Sequence, residues 1–341
     1  MSSRWRSLLL YFGVRLALAP LSLWVVATIV FWLLRLTPGD PVDVILGVKA
    51  SPEIKQALRQ ELGLAGSWWE QYINYLQGLL QGDLGKSLST RGTPVTEIIS
   101  NFFAATAELT IYALLVALLL GLSLGLITAT QKGPWETLGK LFSIVTYALP
   151  LFWLGMLLQL LFSVQLGWLP IGGRLPADVS PPLKITGLYT IDSLLTGNWQ
   201  VLVVSFRHLV LPSLTLGIVI SGVFERVLRV NLQQTLQSDY VEAAKARGIP
   251  PRRILCNHAL RNALLPVVTI VGLTTASLLG GAVLTEVTFS FPGLANRLFE
   301  AIVGRDYPVV QGIVLFFALI VVVASILIDL VNALLDPRIT Y

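Results

Sequence analysis

Five stretches of this chain run for about 19 residues or more without Asp, Glu, Lys or Arg. They are Leu16 to Leu34, Leu109 to Thr130, Leu141 to Leu166, Ala263 to Thr285 and Tyr307 to Ile328. A helix of that length crosses a hydrocarbon core of about 30 Å, and it satisfies its own backbone N–H and C=O groups where no water is present. A sixth run, Leu209 to Phe224, is shorter and spans only if His208 and Glu225 sit near the two interfaces. Composition agrees. The chain is 55% hydrophobic and 13% charged, against about 25% charged residues in a soluble domain. Too few charges are present to cover a soluble protein of 341 residues. The expected fold class is an all-α integral membrane protein with six transmembrane helices.

The net charge of +5 reflects orientation, not nucleic-acid binding. With the N-terminus inside, six spans leave both termini cytoplasmic. The inside segments then carry Arg4, Arg6, Lys132, Lys140, Arg226, Arg229, Lys245, Arg247, Arg252, Arg253, Arg261 and Arg338 with few acids, as the positive-inside rule requires. The first run is longer than the apolar core of about 7–15 residues found in a cleaved signal peptide. The small pair Ala17 and Ala19 also precedes its greasy part, so a retained span is expected. Cys256 is the one cysteine, which excludes an internal disulfide and a cysteine-rich metal site.

Three regions follow. Residues 1–35 form an N-terminal cytoplasmic lead and the first span. Residues 36–101 form an outer loop region with short interfacial helices. Residues 102–341 form a core of five spans with a cytoplasmic loop at about 229–262. In the outer region Ser51 is placed as an N-cap, with Pro52 at N1 and Ile54, Leu58 and Leu62 on one helical face. A second amphipathic piece begins near Gln71. Pro20, Pro150, Pro212 and Pro266 lie in or beside spans, where neighbouring helices re-satisfy the backbone. The small residues of Gly121 to Gly125 and Gly272 to Gly281 suit close helix packing.

The stretch "DYVEAAKARGIPPRR", Asp239 to Arg253, interrupts this apolar chain. Asp239 and Glu242 are spaced as a capping box. Gly248 is placed as the residue after the C-cap, and Pro250 and Pro251 stop the helix. The helix expected over Tyr240 to Arg247 is about 12 Å long and too short to be stable alone. Tyr240, Ala243, Ala244 and Arg247 fall on one side. The methyl groups of Ala243 and Ala244 would let a partner's groove approach closely, with Tyr240 and Arg247 as an anchor and a charge at either end. A helix lying on anionic headgroups, helped by Lys245, Arg252 and Arg253, fits the same pattern.

"EAAKARG" (Glu242 to Gly248) followed by "HALRNALLP" (His258 to Pro266) resembles the EAA loop of ABC importer permeases. "PGDP" (Pro38 to Pro41), "HLVLPSLTLG" (His208 to Gly217), "FSFPGL" (Phe289 to Leu294), "RDYPVVQG" (Arg305 to Gly312) and "NALLDPRI" (Asn332 to Ile339) extend the likeness over nearly the whole chain. Together they resemble the first permease subunit of the dipeptide, oligopeptide and nickel branch. One departure stands out. Where the general EAA pattern ends I-x-L-P, this chain has His258, Ala259, Leu260 and Arg261, so a role borrowed from that proline does not carry over.

The resemblance implies a type I importer permease in a bacterial plasma (inner) membrane. Its implied partners are a second homologous permease subunit, two ABC ATPase subunits and an extracytoplasmic solute-binding protein, besides membrane lipid. The residues implied to dock on the ATPase are Tyr240, Glu242, Ala243, Ala244, Arg247 and Gly248. No cofactor is implied on this chain, since ATP and Mg belong to the ATPase subunits. The residues themselves agree, because the sequence has no phosphate-binding glycine loop. His208 and His258 fall on opposite predicted sides and cannot share a metal. Glu108, Glu225 and Asp329 are placed near span ends, where an interfacial structural role is expected, not a proton relay. A gradient-driven transporter would need mid-span ionisable groups and internal repeats. An intramembrane enzyme would need a nucleophile or paired acids. The sequence presents neither set.

Overall fold

A computed structural model describes residues 3–47, 49–90, 92–131, 133–280 and 282–335. Lys132, Gly281 and the segment 336–341, with Arg338, lie outside the described residues. The helices in order are α1 (Ser3–Leu36), α2 (Pro41–Leu46), α3 (Pro52–Glu61), α4 (Trp68–Leu80), α5 (Val95–Thr130), α6 (Pro134–Ala148) and α7 (Leu151–Leu158), which runs into a π-helical segment, Gln159–Gln165. Then come α8 (Tyr189–Leu195), α9 (Trp199–Leu236), α10 (Asp239–Ala246), α11 (Pro251–Arg253), a second π-helical segment (Ile254–Ala259), α12 (Leu260–Ala263), α13 (Leu265–Leu279), α14 (Val283–Thr288), α15 (Leu294–Val303) and α16 (Tyr307–Leu335). Among the described residues the only β pairing is an isolated bridge between Lys86 and Pro94.

Four helical stretches are long and apolar enough to cross a membrane: Phe12–Leu36, Val95–Thr130, Trp199–Leu236 and Tyr307–Val331. Two bent pairs, α6 with α7 and α11–α12 with α13, bring the number to six if each pair is one span. The chain is a multi-pass membrane protein. The third run differs from a straight span, because its two halves meet at 99°. Leu149 before Pro150 is extended (φ −71°, ψ 124°), as a pre-proline residue prefers, and Pro150 supplies no N–H to carry the helix on. The fourth run, the shortest in charge-free length, lies in the longest helix, α9. Asn198 caps its start by accepting from Val201 N at 3.2 Å, and Pro212 is accommodated without a break.

The chain divides into two compact units. In the first (residues 1–106 and 292–322), Ser51 caps α3 as expected, with Pro52 at N1. The second amphipathic piece, α4, starts at Trp68, earlier than the sequence suggested. Ser67 and Glu70 form a reciprocal capping box there, Ser67 N donating to Glu70 at 2.8 Å and Glu70 N donating to Ser67 at 3.3 Å. Phe31 of α1 is fully buried, with Tyr72 and Tyr75 of α4 at 5.1 and 5.6 Å between ring centroids. Asp306 accepts from Leu88 N (3.0 Å), Ser89 N (3.0 Å) and the Ser87 and Ser89 hydroxyls, which fixes the loop before α5.

In the second unit (residues 107–291 and 323–341) the small residues act where helices cross. A Cβ on Gly121 or Gly125 would meet the α9 backbone at Ser221 and Glu225, so α5 packs directly on α9 there. Glu108, which the charge pattern put at the start of the second span, lies within α5, whose first residue is Val95, and is 1% exposed. Arg174 pairs with it at 2.6 Å, and Thr190 donates to it from both N–H and hydroxyl at 2.7 Å. Asp192 gathers the loop before α8 by accepting from Ile185, Thr186 and Gly187. Burial opposes its ionisation, but the Thr186 hydroxyl and these N–H groups outweigh burial and hold its carboxyl below the usual carboxylate range.

Candidate functional site

The polar stretch folds into α10, and its two ends are built differently. The N-cap is Ser238, not Asp239, and the expected capping box does not form. Asp239 is already the first helical residue, so its carboxylate sits beside the first-turn N–H groups, where negative charge is favoured. At the other end Gly248 has φ 73°. Gly248 N donates to Lys245 O at 2.9 Å, and Ile249 N donates to Ala244 O at 3.2 Å. These two bonds make a Schellman ending, which requires the left-handed residue at Gly248. A Cβ at Gly248 would meet nothing, so only backbone strain opposes substitution. Gly248→Ala should therefore cost about 1–2 kcal/mol in a thermal melt of the purified chain, and Gly248→Asn should cost less.

The faces of α10 are not those expected. Val241 (0% exposed) and Ala244 (7%) point inward and pack with Ile254 and Ile249. Ala244 thus leaves the face that sequence reading gave it, because the chain reverses at Gly248 and lays Ile249 and Ile254 over that side. Tyr240, Glu242, Ala243, Arg247 and Gly248 remain exposed. The Tyr240 hydroxyl accepts from Asn262 Nδ2 at 2.9 Å, tying the turned-out face to α12. Cys256 is exposed on the π-helical segment that follows.

From α10 the packing continues inward. α10 contacts the Ile254–Ala259 segment, and that segment and α12 contact α9. Ala259 and Ala263 are buried with Phe224, Leu228 and Leu232 of α9 and Ala117 of α5. Just before Leu228 on α9 stands Glu225, 0% exposed. Its carboxylate accepts from Arg229 Nε at 2.8 Å, from the Thr128 hydroxyl of α5 at 2.8 Å and from the Ser143 hydroxyl of α6. Gly139 of α6 leaves the room, since a Cβ there would meet both the Glu225 carboxylate and Thr128. One buried carboxylate therefore joins three helices.

The sequence reading put Glu225 at the inner end of the fourth span, and the helix itself continues past it to Leu236. Arg229, one turn later, neutralises the acid inside the protein. The i, i+4 spacing of Glu225 and Arg229 was the available signal. Thr128 and Ser143 gave none. His208 is nearly buried, with its Nδ1 2.8 Å from Gly172 O. Among the described residues no group of His, Cys, Asp and Glu could hold a metal ion.

Comparison with known proteins fits this geometry. Residues 118–341 match the family described as binding-protein-dependent transport system inner membrane component. Residues 9–110 match its N-terminal membrane component. The chain is 41% identical to a dipeptide transport system permease protein of Alkalihalophilus pseudofirmus, covering 92% of this chain and 94% of that one. It is 40% identical to a di/tripeptide transport system permease protein of Pseudomonas aeruginosa, over 98% and 99% of the two chains. It is 37% identical to a glutathione transport system permease protein of Salmonella typhimurium, over 94% and 95%.

Proposed function

This chain belongs to the binding-protein-dependent transport system inner membrane component family, as a permease subunit of an ABC importer, and we propose that it carries short peptides inward and is driven through α10. It is a transport subunit and not an enzyme. In this reading it lies in a bacterial plasma membrane with both termini inside and pairs with a second, homologous permease to form the translocation path. Two ABC ATPase subunits bind the ATP and Mg. An extracytoplasmic solute-binding protein delivers the peptide. The peptide assignment rests on the names of the relatives, which transport dipeptides, tripeptides and glutathione.

The observation that carries the coupling role is the division of α10 into two faces. Val241 and Ala244 anchor it to its own loop, while Tyr240, Glu242, Ala243 and Arg247 are left for a partner. A helix of eight residues moves as a unit only if something holds one side of it. Closure of the ATPases on ATP would push this rod, and the segment from Ile254 to Ala259, whose Ala259 packs in the same cluster as Leu228 of α9, would pass the displacement to α5, α6 and α9.

Crosslinking tests this directly. With Cys256→Ser as background, Ala243→Cys should crosslink to the ATPase subunit in the assembled transporter, with a yield that changes when ATP is added. Val241→Cys, on the buried side, should not. If Ala243→Cys reacts only with lipid-borne reagents in a transporter competent for uptake, α10 is a headgroup-lying helix and the coupling assignment fails.

A further inference from the structure

Two arginines of α9 stay exposed, Arg207 and Arg226, and neither makes a hydrogen bond or an ion pair among the described residues. Nineteen residues of unbroken helix separate them, a length of about 28 Å. A hydrocarbon core is about 30 Å thick. Every α9 side chain between the two that is not buried is apolar: Val210, Leu214, Ile218, Val219, Ile220 and Val223. The one acid in the interval, Glu225, is buried and paired with Arg229. Two neighbouring helices mark the Arg226 level independently. Gly125 of α5 lies against Glu225 and Leu228. On α5 the side chains exposed between Glu108 and Gly121 are apolar too, namely Ile111, Leu115, Leu119 and Leu120. Gly139 of α6 lies against the Glu225 carboxylate and Thr128. About one turn before it Trp135 is exposed, an indole at the level where lipid chains give way to headgroups.

An apolar surface one hydrocarbon thickness long, closed at each end by a free cation, complements a bilayer. A guanidinium presents paired N–H donors that match phosphate oxygens, and an anionic headgroup adds a net attraction that a zwitterionic one lacks. A protein partner would not require the two cations to stand one bilayer core apart. At the usual tilt of about 20° the separation along the membrane normal is still about 27 Å. Past Arg226, α9 continues to Leu236, a further 15 Å or so. The headgroup layer is only about 5–8 Å deep. The start of α10 therefore stands clear of the headgroups, within reach of a soluble subunit.

We infer that α9 meets lipid between Arg207 and Arg226, and that Arg226 receives the phosphate of an anionic phospholipid in the cytoplasmic leaflet. The leaflet named rests on the orientation proposed above; the lipid contact does not. The test uses the assembled transporter in nanodiscs, with Cys256→Ser as background and Val223→Cys labelled with bimane. Val223 is exposed just under one turn before Arg226. Doxyl-labelled phosphatidylglycerol should compete for this position about fivefold better than doxyl-labelled phosphatidylcholine, read as relative quenching constants, which is the preference that one arginine near the surface confers. Arg226→Lys should keep the preference and Arg226→Gln should abolish it. Lys245→Gln, on α10, should leave it unchanged. Bimane on Ala243→Cys should be quenched by neither lipid. Equal quenching by the two lipids at Val223→Cys, or a preference that survives Arg226→Gln, overturns the site. A label there that neither lipid quenches also overturns it, and assigns this face to a protein partner. Native Cys256, which is exposed, reads the orientation separately. In intact cells a membrane-impermeant maleimide should modify it only after permeabilisation. Modification from outside, with the lipid preference intact, sinks the orientation and leaves the lipid contact standing.

Discussion

Ala243→Arg is expected to reduce ATP-driven uptake by about thirtyfold to several hundredfold while the chain stays folded and membrane-inserted. The magnitude follows from blocking the centre of a small interface, where a hot-spot change costs about 2–4 kcal/mol. The specificity follows from where the methyl group points. Ala243 is exposed on α10, between Tyr240 and Arg247, with Glu242 beside it. Arginine there adds bulk and a charge that a docked partner would have to desolvate. It touches neither Val241 nor Ala244, which hold the helix to its loop. The measurement is uptake into proteoliposomes together with ATPase activity, beside a thermal melt of each preparation. Unchanged uptake in a folded Ala243→Arg protein would remove α10 from the drive train.

Ala244→Arg, by contrast, does not test docking. That position is 7% exposed and packs on Ile254 and Ile249, so arginine there would bury a charge within the loop itself. The two neighbouring alanines thus separate interface from fold, and they do so only once the loop's return path is known.

This is also where legibility in the sequence ends. The charge-free runs marked the spans because lipid leaves a chain few alternatives, and the Gly248–Pro250–Pro251 ending was readable because its backbone chemistry is local. The Ser51–Pro52 start of α3 was readable for the same reason. Four features were not. Pro150 looks like Pro212 in sequence, yet one breaks its helix and the other does not. Glu225 was placed at a span end because a lone acid is costly in lipid, but its partners Arg229, Thr128 and Ser143, two of them on other helices, were not readable. Glu108 likewise depends on Arg174 and Thr190, which lie far along the chain. The inward face of α10 is set by Ile249 and Ile254, beyond its own helical wheel.

Glu225 carries the second large expectation. Glu225→Ala should destabilise the chain by about 3–5 kcal/mol, the cost of breaking a buried ion pair by removing one partner. Arg229 has a side chain only 8% exposed, and it would keep its charge without the carboxylate it is bonded to. Glu225→Gln should lose less, because an amide oxygen still accepts from Thr128 and Arg229. Glu225→Leu combined with Arg229→Met should recover most of the stability, since replacing both partners with packed apolar groups is often neutral or favourable. The double variant then separates two roles. If the carboxylate serves only to neutralise Arg229, the stable double variant transports as the unaltered protein does. If it ties α5, α6 and α9 into one moving body, the double variant melts normally yet hydrolyses ATP with reduced uptake, because the hydroxyls of Thr128 and Ser143 no longer share an acceptor on α9. Equal melting of Glu225→Ala and the unaltered protein would show that the joint does not stabilise the fold.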